Sequence, residues 1–583
     1  MRQELTDLRK AMKNRGIDAC IIPTTDFHGS EYVNDYFKFR RYVSGFTGSA
    51  GTLIVTEDGA YLWTDGRYFI QAAKELAGSG VDLMKMNEPG VPTIEEFLKE
   101  NMTEGQTLAF DGRVVSDTLG AGYEKIMADK GGRIVYDKDL AEEVWKERPT
   151  LKGAAIYALP LSVTGKTFEE KLSEIRQILS EKNADYYLIT KLEETAWLFN
   201  MRGDDVENTP VFFSFTLVTP DGVNLYVFKN AIADAPVPAG VRVKDYFEIY
   251  GDVKDIPAGK SLLTNCNDAS YALIKSLDPD VSVIDEKSPA EILKAVKNHM
   301  EIESTLHAHL EDGAAMVNFM YWLKTKALNE GPQTEITASD YLEGCRKARK
   351  GFKDLSFTTI SGYGPNAALC HYSAKAGSES EIKPEGFLLV DSGGQYEDGT
   401  TDITRTFVMG PITDKMKKYF TLVLRSHIDL AMAEFKPGTD GVALDTLCRK
   451  PLKAVGLDFN HGTGHGVGHL LSVHEGPNSI SSRGTTVIEP GMITSDEPGV
   501  YIEGEFGIRH ENEILCVKKP DGMLAFETIT YCPFDRDGID ASMLTEEELE
   551  WLNSYHKTVY DKIGPMVDEE VRSWLKEATA EMQ

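Results

Sequence analysis

The sequence predicts two similar α/β modules followed by a larger α+β domain. A helix pattern with apolar residues three and four apart, followed by an apolar strand, occurs at 5–22 and again at 172–189. Two alternating strands around an Asp-Gly turn occur at 52–63 and again at 215–226, which indicates one hairpin in each module. From about residue 296 the pattern changes to long helices and to strands rich in Gly, Thr and Asp.

We place the domain limits at 1–155, 156–295 and 296–583. This division agrees with the roughly three or four domains expected for a chain of 583 residues. The third domain ends in a predicted helical tail, which opens on the capping-box pair Thr545 and Glu548.

The composition is that of a globular protein, with 42% hydrophobic and 26% charged residues. A net charge of -30 argues against a nucleic-acid partner, because an acidic surface repels phosphates. The seven cysteines form no C-x-x-C pair, which favours reduced thiols. The N-terminus lacks the apolar stretch of a signal peptide, and no apolar run approaches the roughly 18 residues of a membrane span. We therefore expect a cytoplasmic protein with no membrane partner.

Residues 461–477 read HGTGHGVGHLLSVHEGP and hold four of the twelve histidines. A spacing of four also occurs in helical zinc sites, but no Glu follows the first histidine here to act as the base. Glycine occupies every second position from Gly462 to Gly468, and each interior glycine costs a helix roughly 1 kcal/mol relative to alanine. We therefore predict an extended, glycine-lined segment that approaches a ligand closely.

Two carboxylates lie in a predicted hairpin at 386–410, which turns at the sequence EDG. Asp391 directly follows the apolar run FLLV, and Asp402 comes eleven residues later on the opposite strand. A buried carboxylate without a partner is costly or takes up a proton. Either a positive charge lies beside these two residues, or both are surface turn residues.

A second pair of carboxylates, Glu497 and Glu511, lies in the segment 493–517. Glu497 follows apolar residues and precedes Pro-Gly. Strand alternation places Arg509, Glu511 and Glu513 on one face, so Glu511 lies beside a fixed cation. Taken alone, this pattern is equally typical of an exposed strand of Arg and Glu.

The four carboxylates and one histidine satisfy a simple charge balance. Asp391, Asp402, Glu497 and Glu511 carry four negative charges, and His465 offers one neutral nitrogen. Two divalent ions would neutralise this set. A ligand set made mostly of oxygen suits Mn²⁺, with Co²⁺ or Zn²⁺ as alternatives. Two such ions about 3.5–4 Å apart can share a hydroxide and polarise a carbonyl.

The same five residues, in this order, resemble the metal ligands of the pita-bread metallopeptidases. They lie in the motifs VDSGG, TTDITRT, GTGHGVGH, SDEPGVY and GIRHENE. The wording of these motifs is most similar to the aminopeptidase P family in its three-domain cytosolic type, and the segment 40–72 is similar to that family's first domain. The resemblance covers the whole chain. It implies an α+β pita-bread catalytic domain preceded by two similar α/β creatinase-like N-terminal domains.

The resemblance also implies a role for each ligand. Asp391 and Asp402 would bind one ion, with Asp402 bridging to the second. His465 and Glu497 would bind the second ion, with Glu511 as the other bridge. Glu497 would also accept a proton from the bridging water and pass it to the leaving proline nitrogen.

Five further residues receive roles from the same resemblance. His371 and His474 would hold the scissile carbonyl and its developing oxyanion. His461 would contact the substrate near the proline, Arg509 would orient carboxylate ligands, and Arg67 would reach a catalytic site across a homodimer, unless it is an ordinary surface or core-capping arginine. Among the histidines with no implied role, His469 is packed or solvated, and His307 and His309 are expected to be structural.

The implied activity is removal of the first residue from peptides with proline in second position. General peptidases fit this imide bond poorly, because it lacks an N–H and the ring fixes φ. A prolidase that cleaves Xaa-Pro dipeptides is the nearest alternative, but it usually carries one N-terminal domain. A metal-free creatinase-like hydrolase and a non-catalytic binding protein are further alternatives, and both typically lack ligands that this chain has.

Overall fold

The computed structural model describes residues 2–583 and divides into two compact units. The first unit comprises the residues up to Leu159, Lys166–Glu207 and Val211–Ala290, and the second comprises Pro160–Gly165, Asn208–Pro210 and Glu291–Gln583. Among the described residues, no helix combines the length and the apolar character that crossing a bilayer requires.

The first six strands of the chain form one sheet. They are β1 (Ala19–Pro23), β2 (Thr52–Thr56), β3 (Ala60–Thr64), β4 (Asp82–Lys85), β5 (Thr107–Ala109) and β6 (Arg133–Val135). The accompanying helices are α1 (Gln3–Arg15), α2 (Phe39–Ser44), α3 (Phe69–Glu75), α4 (Ile94–Asn101), α5 (Asp117–Asp129) and α6 (Ala141–Val144). Strand β1 is apolar throughout because both its faces are buried: Cys20 and Ile22 join one core, and Ala19 and Ile21 join the other.

The next part of the chain forms a second six-stranded sheet and one separate strand pair. The strands are β7 (Tyr157–Ala158), β8 (Tyr186–Ile189), β9 (Met201–Arg202), β10 (Ser214–Thr219), β11 (Gly222–Val227), β12 (Val241–Asp245), β13 (Ser261–Thr264) and β14 (Ser282–Asp285). The helices are α7 (Leu161–Thr164), α8 (Phe168–Glu181), α9 (Leu192–Phe199), α10 (Ile249–Lys254), α11 (Tyr271–Lys275) and α12 (Pro289–Ala295). Strands β7 and β9 pair only with each other.

The two six-stranded sheets have the same topology. Their strand orders are β4-β3-β2-β1-β5-β6 and β12-β11-β10-β8-β13-β14. In each sheet an antiparallel trio lies at the centre, and the outer strands add to it in parallel. The predicted hairpins are β2–β3 and β10–β11, so the internal repeat is confirmed. The limits proposed for the three domains remain a prediction.

The rest of the chain builds a larger α+β domain. Its strands are β15 (Gln333–Thr334), β16 (Phe352–Leu355), β17 (Ile360–Tyr363), β18 (Glu381–Ile382), β19 (Phe387–Ser392), β20 (Gly394–Tyr396), β21 (Gly399–Thr400), β22 (Ile403–Val408), β23 (Glu434–Phe435), β24 (Gly464–Gly466), β25 (Glu475–Ile480), β26 (Ile493–Asp496), β27 (Gly499–Ile502), β28 (Phe506–Arg509), β29 (Asn512–Lys518) and β30 (Leu524–Thr528). Its helices are α13 (His299–Thr325), α14 (Glu335–Lys347), α15 (Asp414–Ala431), α16 (Gly441–Lys453), α17 (Glu546–Ile563) and α18 (Glu569–Ala578).

Three sheets of this domain carry the motif residues. One has the order β17-β19-β22, a second has the order β23-β30-β29-β26-β24-β25, and the third is the pair β27–β28. Helices α13, α15, α17 and α18 pack into one core with β19 and β22. The predicted helical tail is therefore part of this core, and its capping box is present: Thr545 Oγ1 accepts from Glu548 N at 3.2 Å, and Glu548 Oε2 accepts from Thr545 N at 2.8 Å.

Two segments are more divided than the sequence pattern indicates. The predicted hairpin pairs β19 with β22, but its tip separates as β20–β21 and joins β16 in another sheet. The strand expected over 508–517 is two strands, β28 and β29, with His510 and Glu511 between them. The break arises because the backbone N–H of Glu511 donates to Thr404 O, at 3.1 Å, in a different sheet.

Candidate metal centre

Asp391 and Asp402 converge from neighbouring antiparallel strands. Asp391 lies near the end of β19 and pairs with Thr404 of β22, and Asp402 directly precedes β22. Both are buried, and the Oδ1 atom of each has no hydrogen-bond partner within the described chain. Buried carboxylate oxygens without donors are costly, so this pair is suited to a cation.

His465 lies on β24 (Gly464–Gly466), which confirms the predicted extended segment around this histidine, while residues 467–474 form a loop. A Cβ atom on Gly464 would lie 1.8 Å from the carbonyl oxygen of Ser495, so only glycine lets β24 approach β26 this closely. His465 Nε2 is 3.5 Å from Asp402 Oδ2 and 3.4 Å from Glu497 Oε1. Its Nδ1 donates to the backbone carbonyl of Gly466 at 2.9 Å, which leaves Nε2 facing the two carboxylates.

Glu511 completes the cluster from the gap between β28 and β29. Its Oε2 accepts from Thr404 Oγ1 at 2.6 Å. One ligand atom each from Asp402, His465 and Glu511 all lie within 4.8 Å of one another. The structure thus brings together all five residues that the sequence analysis selects as ligands.

The electrostatics of the cluster call for added positive charge. Burial raises the pKa of Glu497 to about 7, and the charges of Asp402 and Asp391 act in the same direction. Burial likewise raises the pKa of Asp391 and of Glu511. Burial lowers the pKa of His465, but its contacts with Asp402 and Glu497 outweigh this and raise it to about 9. Carboxylates that oppose one another's ionisation, with a mostly oxygen donor set, fit divalent ions.

Arg509 supports the cluster through Asp391 and leads to a tyrosine. Its Nη2 donates to Asp391 Oδ2, and its Nη1 donates to the Tyr501 hydroxyl at 2.7 Å. The same hydroxyl is 2.7 Å from His461 Nε2, while His461 Nδ1 is 2.7 Å from Gly462 O. A carbonyl only accepts, so Nδ1 carries the proton and Nε2 accepts from Tyr501. Burial, assisted by the charge on Arg509, lowers the pKa of His461 to about 3, so this imidazole is neutral.

The two remaining candidate substrate histidines lie beside these groups. The ring of His474 is 4.4 Å from that of His465, at 85°. His371 is near enough to His461 for its charge to contribute to the lowered pKa of that residue. Both are half-buried, as a group that meets an entering ligand must be.

Three histidines and one arginine lie outside this cluster. His469 Nε2 is 3.1 Å from Asp398 O, and His307 Nδ1 is 2.6 Å from Asp398 Oδ2. Arg67, in the first unit, pairs with Asp65 through two contacts of 2.8 Å, and its role across a dimer remains a prediction. His309 is buried, as expected of a structural residue. It does lie behind the site, because its Nε2 is 3.1 Å from Glu513 Oε1, which accepts from the backbone N–H of Asp402 at 2.7 Å.

Sequence reasoning missed Thr404, Tyr501 and the pair of His309 and Glu513. Thr404 and Tyr501 lie within the quoted motifs TTDITRT and SDEPGVY. Their position as polar residues inside motifs that carry candidate ligands is the signal that could have identified Thr404 and Tyr501. Nothing local connects His309 with Glu513, because they meet only through the packing of α13 on the sheet.

A buried cluster of carboxylates and one imidazole on this fold defines a metallohydrolase of the pita-bread type. Comparison with protein families agrees: the model of metallopeptidase family M24 matches residues 303–518, and the model of the C-terminal region of peptidase M24 matches 522–582. Two models of the creatinase/prolidase N-terminal domain match 5–143 and 147–301. The predicted fold class, two creatinase-like domains before a pita-bread domain, is confirmed.

Comparison with individual relatives indicates which members of this class the chain is similar to. Probable Xaa-Pro aminopeptidase P of Coprinopsis cinerea is 39% identical over 99% of this chain and 98% of its own length, and that of Aspergillus niger is 40% identical over the same shares. The X-prolyl aminopeptidase of Caenorhabditis elegans, a cytosolic enzyme with a di-nuclear active site, superposes with a TM-score of 0.93 at 32% identity over 100% of both chains. The prolidase of Pyrococcus horikoshii superposes with a TM-score of 0.51 at 25% identity, over 63% of this chain and 99% of its own. The chain belongs to metallopeptidase family M24, among the relatives that carry the name Xaa-Pro aminopeptidase P.

Proposed function

We propose that this protein is a metal-dependent Xaa-Pro aminopeptidase, which removes the first residue from peptides with proline in second position. The carrying observation is the convergence of Asp402, His465 and Glu511 to within 4.8 Å in a chain that matches the C. elegans X-prolyl aminopeptidase over its whole length. The similarity includes both N-terminal modules, whereas the prolidase of P. horikoshii corresponds to only 63% of this chain. The aminopeptidase is therefore favoured over the dipeptidase.

We propose two divalent ions as the cofactors, with Mn²⁺ preferred and Co²⁺ or Zn²⁺ as alternatives. Asp391, Asp402, His465, Glu497 and Glu511 would together hold the two ions. Four carboxylate charges balance two divalent ions, and the unpartnered Oδ1 atoms of Asp391 and Asp402 leave room for metal–oxygen bonds. When bound, such ions polarise a carbonyl and lower the pKa of water towards neutrality.

The surrounding side chains would handle protons and orientation. Glu497, whose Oε1 lies 3.4 Å from His465 Nε2 inside the cluster, would accept a proton and deliver it to the leaving proline nitrogen. His371 and His474 would donate hydrogen bonds to the scissile carbonyl as negative charge develops on its oxygen. Arg509 holds Asp391 and the Tyr501 hydroxyl.

Selectivity for proline would depend on the shape of the surface that binds the ring and on a neutral imidazole beside it. The imide nitrogen has no hydrogen to donate and the ring fixes φ, so a proline site requires an apolar, pre-shaped surface. His461 is neutral and held in one orientation by Gly462 and Tyr501. We propose that it borders the proline ring of the substrate.

Hydrolysis of three matched peptides tests the activity. A tripeptide Xaa-Pro-Yaa, a tripeptide Xaa-Ala-Yaa and a dipeptide Xaa-Pro are incubated with Mn²⁺-loaded and with chelator-stripped protein. We expect metal-dependent release of Xaa from the proline tripeptide alone. Preference for the dipeptide would reassign the protein as a prolidase. Failure to cleave any of the three after metal is restored would refute catalysis.

We also propose a cytoplasmic homodimer in which Arg67 reaches the partner's site. All seven cysteines are free thiols, which suits a reducing compartment, and the C. elegans relative is cytosolic. Light scattering after size exclusion gives the mass. A monomer that is fully active with Arg67→Ala would refute both the dimer and the role of Arg67.

A further inference from the structure

A buried arginine joins helix α17, the first helix of the C-terminal tail, to the strands of the candidate metal centre. Arg405, on β22, is 1% exposed, and its guanidinium lies 4.2 Å from the centre of the Phe534 ring. It makes six hydrogen bonds, all to neutral acceptors. The acceptors are the carbonyl oxygens of Thr404 (2.9 Å), Glu511 (2.5 Å), Cys532 (2.7 Å) and Pro533 (3.2 Å), Asn512 Oδ1 (2.7 Å) and the Tyr555 hydroxyl (2.9 Å). A cation is costly to bury. Here the planar, forked guanidinium of Arg405 binds several backbone carbonyls at once and so fixes the backbone around it.

The first arm of this network holds Glu511. Arg405 Nη1 donates to both Thr404 O and Glu511 O, and the N–H of Glu511 donates back to Thr404 O at 3.1 Å. The Thr404 hydroxyl donates to the carboxylate of Glu511 at 2.6 Å. The backbone and side chain of one candidate bridging ligand are therefore fixed by the same two neighbouring residues.

The second arm leads to β26, the strand that ends at Asp496, directly before Glu497. Asn512 accepts from Arg405 through Oδ1, and its Nδ2 donates to His427 Nε2 at 3.0 Å. His427 Nδ1 lies 3.1 Å from the carbonyl oxygen of Asp496, the residue before Glu497. The network thus reaches the backbone next to a second candidate ligand.

Tyr555 is the contribution of helix α17 to this network. Its ring stacks on Trp551 at 5.3 Å and 5°, which directs the hydroxyl towards Arg405. The hydroxyl accepts from Arg405 Nη2 at 2.9 Å and lies 2.8 Å from Cys532 O, to which it can donate. Without this acceptor, Arg405 would lose one of the contacts that orient its plane.

We propose that Tyr555, Arg405 and Asn512 are positioning residues of the metal centre, through which helix α17 sets metal affinity. The inference rests on the proposed function. Its physical reason is that ligands bind tightly only when their own partners hold them in place, and loss of such a partner typically costs about 10–100-fold in metal affinity. A helix tail that only covers the core would change stability but leave metal affinity unaltered.

Tyr555→Phe is the decisive variant, because it keeps the ring and removes only the hydroxyl. Tyr560→Phe is the matched control, since Tyr560 lies on the same helix and takes no part in the network. Asn512→Ala is a second variant that cuts the arm towards Glu497. Chelator-stripped full-length proteins are titrated with Mn²⁺ by calorimetry, and the visible spectrum of the Co²⁺-loaded proteins reports ligand geometry.

We expect Mn²⁺ to bind Tyr555→Phe about 10-fold more weakly than wild type, with an altered Co²⁺ spectrum. Excess Mn²⁺ should restore kcat, because the defect is in occupancy. Tyr560→Phe should match wild type. If Tyr555→Phe and Asn512→Ala bind Mn²⁺ as tightly as wild type with unchanged spectra, the inference is wrong and the proposed function stands. If wild type itself binds no Mn²⁺ and cleaves no Xaa-Pro-Yaa peptide, both fall.

Discussion

A buried histidine in the first compact unit and a half-buried histidine in the second have opposite kinds of hydrogen-bond partner. His28 is fully buried in the first unit, with Nδ1 2.7 Å from Thr190 O and Nε2 2.5 Å from the Tyr246 hydroxyl. His465, in the second unit, has one backbone carbonyl on Nδ1 and two carboxylates facing Nε2. Burial lowers the pKa of His28, whereas the carboxylates raise the pKa of His465 to about 9.

The difference separates a structural histidine from one prepared for a ligand. Both ring nitrogens of His28 have neutral hydrogen-bond partners, so neither nitrogen is available to a ligand. Through these partners His28 joins the two N-terminal modules. The carboxylates of Asp402 and Glu497 favour positive charge beside His465 Nε2, which a metal ion would supply to the neutral imidazole. The chemical identity of the partners therefore separates the two histidines.

Exchanging His465 is expected to have the largest effect. His465→Ala removes a ligand from the proposed centre, so kcat/KM for Xaa-Pro-Yaa should fall by at least about 100-fold, the upper end seen when an outer partner of a metal ligand is lost. His469→Ala, four residues along the same segment, is the control and should keep most of the activity. Equal losses of kcat/KM in His465→Ala and His469→Ala would contradict a specific role of His465 as a metal ligand.

Removing the imidazole of His28 should affect stability without affecting chemistry. His28→Phe fits the surrounding rings of Phe213, Phe215 and Tyr246 but leaves Thr190 O and the Tyr246 hydroxyl unpaired. Each buried group left unpaired costs about 1–3 kcal/mol. Urea unfolding should show an earlier transition, while kcat of the folded protein is retained. A loss of kcat at unchanged stability would contradict a structural role for His28.

Another histidine, the fully buried His556 on α17, extends the comparison to pH. Its pKa is lowered by burial to about 3, and its Nε2 accepts from Phe534 N at 3.2 Å. Below the ordinary histidine pKa of about 6.5, the unfolded chain binds a proton that the folded chain does not. Stability should therefore fall as the pH falls from about 6.5 towards 3, by about 1.4 kcal/mol per pH unit for this residue.

His556→Gln keeps an acceptor for Phe534 and removes the titration. In chelator-treated protein, thermal unfolding between pH 4.5 and pH 7 should show a weaker pH dependence for His556→Gln than for wild type. The same slope in both proteins would mean that His556 is already protonated in the folded state.

The smallest expected effect concerns Tyr501, which links neutral His461 to Arg509. Tyr501→Phe removes a hydroxyl that accepts from Arg509 and donates to His461. A hydrogen bond to a charged group contributes about 1.5–3 kcal/mol at most, so kcat/KM should fall by roughly 10-fold. Because the ring stays in place and Tyr501 and His461 are only half-buried, water can replace the lost hydroxyl and the Tm should change little. A larger fall in Tm than in kcat/KM would assign Tyr501 to stability.

Much of the fold and most of the site were predictable because their signals are local. The repeated helix, strand and hairpin patterns predicted two modules, and their sheets share one strand order. The alternating glycines around His465 predicted an extended segment, and β24 is that segment. The break between β28 and β29 was not predictable, since it depends on a hydrogen bond from Glu511 to Thr404, far away in the chain.

The order of the candidate ligands, the two N-terminal modules and the family resemblance follow from residue identity and short spacing alone. Which side chains meet depends on the folded chain. Arg509 reaches Asp391 across 118 residues, and Arg405 reaches Tyr555 across 150. The physical reason is that periodicity reports which face of an element is buried, whereas the partner on the other side is chosen by packing between distant segments.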